Sequence, residues 1–209
     1  ASIAMSDPVA VGFGRVTFLP VDLQFNTIRV LLLRNPFIGR GYVNSVLYTS
    51  VHTVMVLIVC PMGGFAISRP KLVGRGIAGM LLLISMFLSG GLIPTFLWFR
   101  ELGMLNTIWA IVLPTVVSPF YVFIFRIYIV TNVHQELAES VHVDGGGDWL
   151  VFFHITMPLI KPMLATIGLF TAVGMWNSFF PAMIYLSDRE LYPVTLFLRE
   201  MISSGFNGL

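Results

Sequence analysis

Four stretches of this chain carry no formal charge, and each is long enough to cross a bilayer. Residues 41–68, 76–99, 102–125 and 162–187 contain no Asp, Glu, Lys or Arg. A helix needs about 20 mostly apolar residues to cross a hydrocarbon core about 30 Å thick. Four such runs in 209 residues are too many for buried core helices. Charged residues make up 11% of the chain, against about 25% in soluble domains, so the chain cannot cover itself with a water-compatible surface. The expected fold class is all-α, a polytopic helical membrane protein in a lipid bilayer, with spans at about 43–67, 77–99, 107–130 and 163–186.

The remaining segments are short. Pro8, Gly12, Gly14 and Pro20 break up the start of the chain. Leu23–Arg34 turns amphipathic and reads as an interfacial helix within an extracytoplasmic arm over residues 1–42. Asn35-Pro36 ends that helix. No basic region followed by an apolar core opens the chain. A net charge of +2 is too small to point to nucleic acid, and the single Cys60 excludes an intramolecular disulfide. Cys60 is expected as a small apolar filler. Residues 68–75 hold three basic residues and no acid, which places that loop in the cytoplasm by the positive-inside rule. Alternation of the spans then puts residues 131–161 on the same side.

That second segment is the most informative. Residues 136–158 read ELAESVHVDGGGDWLVFFHITMP, a polar interruption in an apolar chain. Leu137, Ala138 and Val141 recur at helical spacing. Gly145 suits a left-handed residue ending a first helix, and Asp148 puts negative charge in the first turn of a second. Pro158 is expected to close that second helix. A phosphate-binding loop is excluded, since no Gly-Lys-Ser/Thr follows and two aspartates flank the glycines. His134, His142 and His154 lack metal-pair spacing and a cysteine partner. No cofactor or metal site is expected. What remains is an L-shaped helix pair, fixed to two membrane helices and suited to docking.

These residues resemble the "EAA loop" of bacterial ATP-binding-cassette import permeases. Its pattern is Glu-Ala-Ala, three residues, Gly, nine residues, Ile, one residue, Leu-Pro. Here Glu139-Ser140-Val141, Gly145, Ile155 and Met157-Pro158 keep every spacing. Ser140 and Val141 replace the alanines, and Met157 replaces leucine. Further stretches resemble the carbohydrate-uptake type-1 permeases, in particular their LplC-like, oligosaccharide-type subgroup. They are Asn44-Ser45, Phe65-Ala66-Ile67-Ser68-Arg69, Gly90–Thr95 (GGLIPT), Leu102–Thr107 (LGMLNT) and Trp176-Asn177.

The resemblance implies a non-catalytic membrane subunit of a sugar importer of the bacterial cytoplasmic membrane. Its implied partners are two ATP-binding-cassette ATPase subunits, a second related permease and an extracytoplasmic sugar-binding protein. Glu139, Ser140, Val141, Asp144, Gly145, Ile155 and Pro158 would couple to the ATPases. Such permeases usually have six spans, so the chain is expected to be a fragment lacking the first and the last.

Trp176 and Asn177 are expected about midway along the 163–186 span. There an amide needs a protein partner or a wet cavity, and an indole can stack on a sugar ring. Lining of the substrate pathway and an interhelical hydrogen bond are the two readings. His52 is expected as a satisfied helix–helix contact. A permease for another solute, such as a polyamine or phosphate, is the first rival. An intramembrane enzyme is the second, and it lacks any acidic partner for His52 and Cys60 within the spans.

Overall fold

The computed structural model describes residues 36–70, 72–88 and 90–206. The interfacial helix expected at 23–34 lies outside them. Every regular element among the described residues is helical.

Helix α1, Pro36–Ser68, is 33 residues long. At 1.5 Å per residue it measures about 50 Å, and it begins before the span start expected at 43. It is the one unbroken helix among the described residues that is long and apolar enough to cross a membrane. Ser45, Tyr48, His52, Val56 and Cys60 are buried along one face. Val43, Val46, Leu47, Val54 and Ile58 are exposed around the rest. A helix apolar on all sides belongs in lipid or inside a larger assembly.

The other long apolar segments are bent. α2 (Arg75–Phe87) and α3 (Leu92–Glu101) form one bent pair. α4 (Ile108–Thr115, its last turn 3-10) and α5 (Pro119–Asn132) form a second, bent by 46°. α7 (Asp148–Leu159) and α8 (Lys161–Asn177) form a third, bent by 76°. α6 (Gln135–Val143) lies between the last two pairs. α9 (Phe180–Tyr185) and α10 (Val194–Phe206) follow α8.

The segment expected as one span over 163–186 is therefore α8 and α9, separated at Ser178-Phe179. Pro181, in the first turn of α9, has no N–H to offer the Asn177 carbonyl, and its ring cannot follow a continuous helix. Pro119 opens α5 for the same reason.

α5, α8 and α10 all pack against α1. Gly64 permits the closest approach: a Cβ there would stand 2.7 Å from Phe125 Cβ and 2.9 Å from the Arg126 nitrogen. Small residues at such crossings let backbones meet where no hydrophobic drive exists between helices in lipid. Val56, Cys60 and Phe65 of α1 share one core with Val122, Phe125 and Ile129 of α5.

α1 also repairs the break between α4 and α5. Val116 N donates to the Leu113 carbonyl in a 3-10 turn, so the Val112 carbonyl lacks its α-helical donor and has room for a second one. His52 Nδ1 donates to it at 3.0 Å, and Cys60 Sγ donates to the Val116 carbonyl at 3.3 Å. Freed backbone groups in a membrane are tolerated when a neighbouring side chain satisfies them. His52 is thus a helix–helix contact, and Cys60 fills space and donates as well.

The two ends of the bundle are distinct. At one, the α1–α2 loop lies beside α6 and α7. At the other, Asn106, at φ 61, accepts from the Ser187 and Asp188 nitrogens at 3.1 and 2.9 Å through Oδ1. Asn44 Nδ2 donates there to the Glu190 carbonyl at 2.7 Å, and Tyr48 Oη to that of Leu191 at 2.7 Å. The loop after α9 is thereby pinned to the start of α1.

His52→Leu should remove the ring's hydrogen bond to the Val112 carbonyl and lower stability by about 1 kcal/mol. Cys60→Ala should lower it less, since a thiol is a weak donor. Thermal unfolding of the purified full-length permease in detergent checks this order, and an unchanged midpoint for His52→Leu would contradict it.

Candidate functional site

The polar interruption is two helices joined by a glycine turn. α6 ends in a Schellman arrangement. Gly145 N donates to the His142 carbonyl at 3.1 Å, and Gly146 N donates to the Val141 carbonyl at 2.8 Å. Gly145 has φ +82. Glycine takes that conformation without the Cβ clash that costs other residues roughly 1–2 kcal/mol. Gly147 then precedes α7, whose first residue is Asp148.

Gly146 is required for a different reason. A Cβ there would stand 2.5 Å from Val141 Cγ1 and 3.0 Å from the Val141 carbonyl oxygen. Val141 is one of the two departures from the alanines of the import-permease pattern. The branched side chain at 141 and the bare backbone at 146 are therefore a matched pair. A Cβ on Gly147 would meet nothing within 4 Å.

The hinge is seated on the bundle. Ala138 of α6 and Val151, Phe152 and Ile160 from α7 onward are buried in the same core as Phe65 and Phe125, with Val141 packed against it. The Phe65 and Phe152 rings lie 5.1 Å apart. Residues 151–156 form a π-helical turn, with Met157 N donating to the Phe152 carbonyl. This wider turn sits just before Pro158, whose ring would crowd the His154 carbonyl in a regular α-helix. Pro158 does not itself close the helix. α7 runs to Leu159 and breaks at Ile160, and Pro162 opens α8.

The opposite surface of the hinge is open. Glu139 and Ser140 are exposed, Glu139 accepting from Gln135 Nε2 at 3.0 Å and Ser140 Oγ donating to the Leu137 carbonyl at 3.0 Å. Asp144 and Pro158 are exposed and Ile155 is half-buried. Leu137, Val143, Trp149 and Phe153 are exposed apolar residues, and the rings of Trp149 and Phe153 stack at 6.0 Å. A groove of about 760 Å³ runs between α6, the start of α7 and the end of α1. Phe65, Arg69, Ala138, Glu139 and Trp149 are among its walls. Exposed apolar patches rimmed by polar residues occur where a protein, a membrane or a ligand makes contact.

Arg69 carried no role in the sequence reading, although Phe65–Arg69 was one of the stretches that resemble the sugar permeases. Its guanidinium lies 4.2 Å above the Phe65 ring, with Nε 3.8 Å from Asp148 Oδ1. Burial pushes its pKa down, and Asp148 works against that shift.

Trp176 and Asn177 lie far from the hinge, at the end of the 17-residue α8. Asn177 is the last residue of that helix, not a mid-span residue. Its exposed Nδ2 donates to the Val173 carbonyl at 2.8 Å, a bond within its own helix. Trp176 is half-buried, its ring 6.4 Å from that of Tyr42 on α1. The structure thus gathers the seven hinge residues at one end and the aromatic–amide pair at the other.

Gly147→Ala should leave the hinge unchanged. Gly146→Ala should loosen it by about 1–3 kcal/mol through overpacking, and Val141→Ala should recover much of that loss. Rates of proteolytic cutting within residues 143–150 of the full-length permease measure this. Equal rates for Gly146→Ala and Gly147→Ala would contradict the steric account.

Residues 38–203 match the family described as binding-protein-dependent transport system inner membrane component. The chain is 37% identical over 192 residues to the polygalacturonan/rhamnogalacturonan transport system permease protein YtcP of Bacillus subtilis, covering 91% of this chain and 66% of that protein. It is 37% identical to protein LplC of the same organism, covering 75% of this chain and 53% of that one. Its fold is similar to a chain of a bacterial ABC transporter that imports the acidic polysaccharide alginate. The TM-score is 0.88 at 32% identity, over 95% of this chain and 70% of the other. The chain thus spans between about half and two thirds of the length of these two relatives. With its helical bundle and the hinge at one end, this chain belongs to the inner-membrane components of binding-protein-dependent transport systems.

Proposed function

We propose that this chain is a permease subunit of an ATP-driven importer of sugars or oligosaccharides in the bacterial cytoplasmic membrane. The observation that carries the reading is the hinge. It is buried on one side in the core of the bundle, exposed and apolar on the other, and joined without a flexible linker to α5 and α8. Such a device transmits force.

In this reading the subunit holds no catalytic residue. Two ATPase subunits dock at the hinges of this chain and of a second, related permease, and an extracytoplasmic binding protein delivers the sugar at the opposite end. Glu139, Ser140 and Asp144 form the polar rim of the docking surface. Val141, Gly145, Ile155 and Pro158 hold its shape. Closing of the ATPases displaces the hinges, and α5 and α8 carry that displacement into the pore. The ATP-bound state then favours one pore conformation through contacts at the hinge that the other state lacks. Support for a carbohydrate cargo comes from the relatives' names, which include polygalacturonan/rhamnogalacturonan and the acidic polysaccharide alginate. Trp176 and Asn177 line the sugar's path at the end of α8.

Two measurements test this. In the full-length assembled transporter, Gly145→Val puts a β-branched residue at φ +82, a strain of roughly 1–2 kcal/mol or more. ATP hydrolysis should continue while uptake of a labelled oligogalacturonide falls. Normal uptake by the assembled variant contradicts the coupling role, and uptake of a polyamine or phosphate in place of any sugar contradicts the cargo. For the pathway, Asn177→Cys, with Cys60→Ala, should react with a water-soluble thiol reagent and be protected by the sugar. A thiol inert through the whole cycle would assign Asn177 to packing.

A further inference from the structure

At the hinge, one carboxylate oxygen stands between three separate elements. Asp148 Oδ1, in the first turn of α7, is 3.8 Å from Arg69 Nε just past α1 and 3.6 Å from His142 Nε2 on α6. Charge-assisted N–H···O bonds close to about 2.7–2.9 Å, so neither contact is a formed hydrogen bond. His142 is itself fixed, since its Nδ1 donates to the Gly146 carbonyl at 2.9 Å and leaves Nε2 turned to the carboxylate.

The two sides of the Arg69–Asp148 pair differ. The Arg69 side chain is only 21% exposed and stacks on Phe65. Its Nε and Nη2 are enclosed without a hydrogen-bond partner. A guanidinium keeps its charge in such a setting, and enclosed donors without acceptors favour any movement that supplies one. The Asp148 side chain is 64% exposed and stands at the very start of α7, directly after the glycine turn. Asp148 is the partner with room to move. Phe65 also packs on Phe152 of α7, so a shift of α7 acts on both the ring and the carboxylate that face Arg69.

We propose that Arg69 is a positioning residue of the coupling hinge, an open clasp that closes onto Asp148 when the hinge is pushed toward the bundle and so passes the displacement to α1. The inference rests on the coupling function proposed above and adds a second route to it. The chain itself carries hinge motion into α5 and α8. The Arg69–Asp148 contact carries it directly to α1, the helix on which α5, α8 and α10 all pack.

The test is hydrogen exchange in residues 139–152 of the full-length transporter assembled with its ATPases, first without nucleotide and then trapped with ATP and vanadate. Asp148→Asn changes an exposed side chain and should keep the fold, and Arg69→Gln is its counterpart. Trapping should slow exchange in the unchanged protein. Each variant should lose that slowing and exchange on the order of fivefold faster in the trapped state. The double variant should be no faster than either single one, because both remove the same contact.

Trapped Asp148→Asn exchanging like the unchanged protein would overturn the proposal. So would single effects that multiply in the double variant, or equal acceleration with and without nucleotide, which marks a merely structural contact. Where Arg69→Gln does not assemble, Asp148→Asn decides alone. Gly145→Val separates this inference from the broader reading. If it uncouples transport while Asp148→Asn exchanges normally, only the clasp is lost. If it transports normally, the hinge reading itself fails.

Discussion

The Gly64 crossing, where α1 meets α5 backbone to backbone, supports the rest of the structure. No hydrophobic drive separates helix from lipid, so close van der Waals contact and satisfied polar groups must hold the bundle together. Gly64 brings α5 close enough for Val56, Cys60 and Phe65 to pack on Val122 and Phe125. The same face of α1 presents His52 and Cys60 to the carbonyls freed between α4 and α5. One helix face thus sets both the position of α5 and the tolerance for a broken span. The hinge, entered from α5, inherits its placement from that contact.

From there the hinge converts chain direction into a rigid surface. A flexible loop between α5 and α8 would absorb an applied displacement. The Schellman bonds at Gly145 and Gly146 and the burial of Ala138, Val151 and Phe152 work against that. Elsewhere in the bundle the helical hydrogen-bond ladder is interrupted, at Val116–Ser118 and at Ser178-Phe179, where Pro119 and Pro181 open the next helices.

Much of this was legible in the chain. Runs without charge located the apolar segments because a bilayer excludes unpaired charge whatever the fold. The glycine turn was legible because a Schellman C-cap has local chemistry: Gly145 at the end of an amphipathic stretch, then Asp148 to open the next helix. The breaks within the spans were not. A proline such as Pro119 or Pro181 is compatible with a kinked helix or a full stop, and the outcome depends on side chains distant in sequence, as His52 is from Val112. Asn177 was misplaced for that reason, becoming a helix end once Pro181 broke the segment. Arg69 was missed because its meaning lies in three-dimensional neighbours, a ring beneath it and a carboxylate on α7. Helix α10 was hidden by Arg199 and Glu200, which end any charge-free run.

In the proposed importer the ATPases act on the outer surface of the hinge. Single cysteines at Leu137 and Trp149, introduced with Cys60→Ala into the full-length permease, can be labelled with a water-soluble maleimide before and after the ATPase subunits are added. Both residues are exposed on the isolated chain. Labelling at both should fall sharply on assembly, while a cysteine at the exposed Leu102, in the α3–α4 loop at the opposite end, reacts as before. Equal labelling of 137 and 149 with and without assembled ATPases would contradict the account.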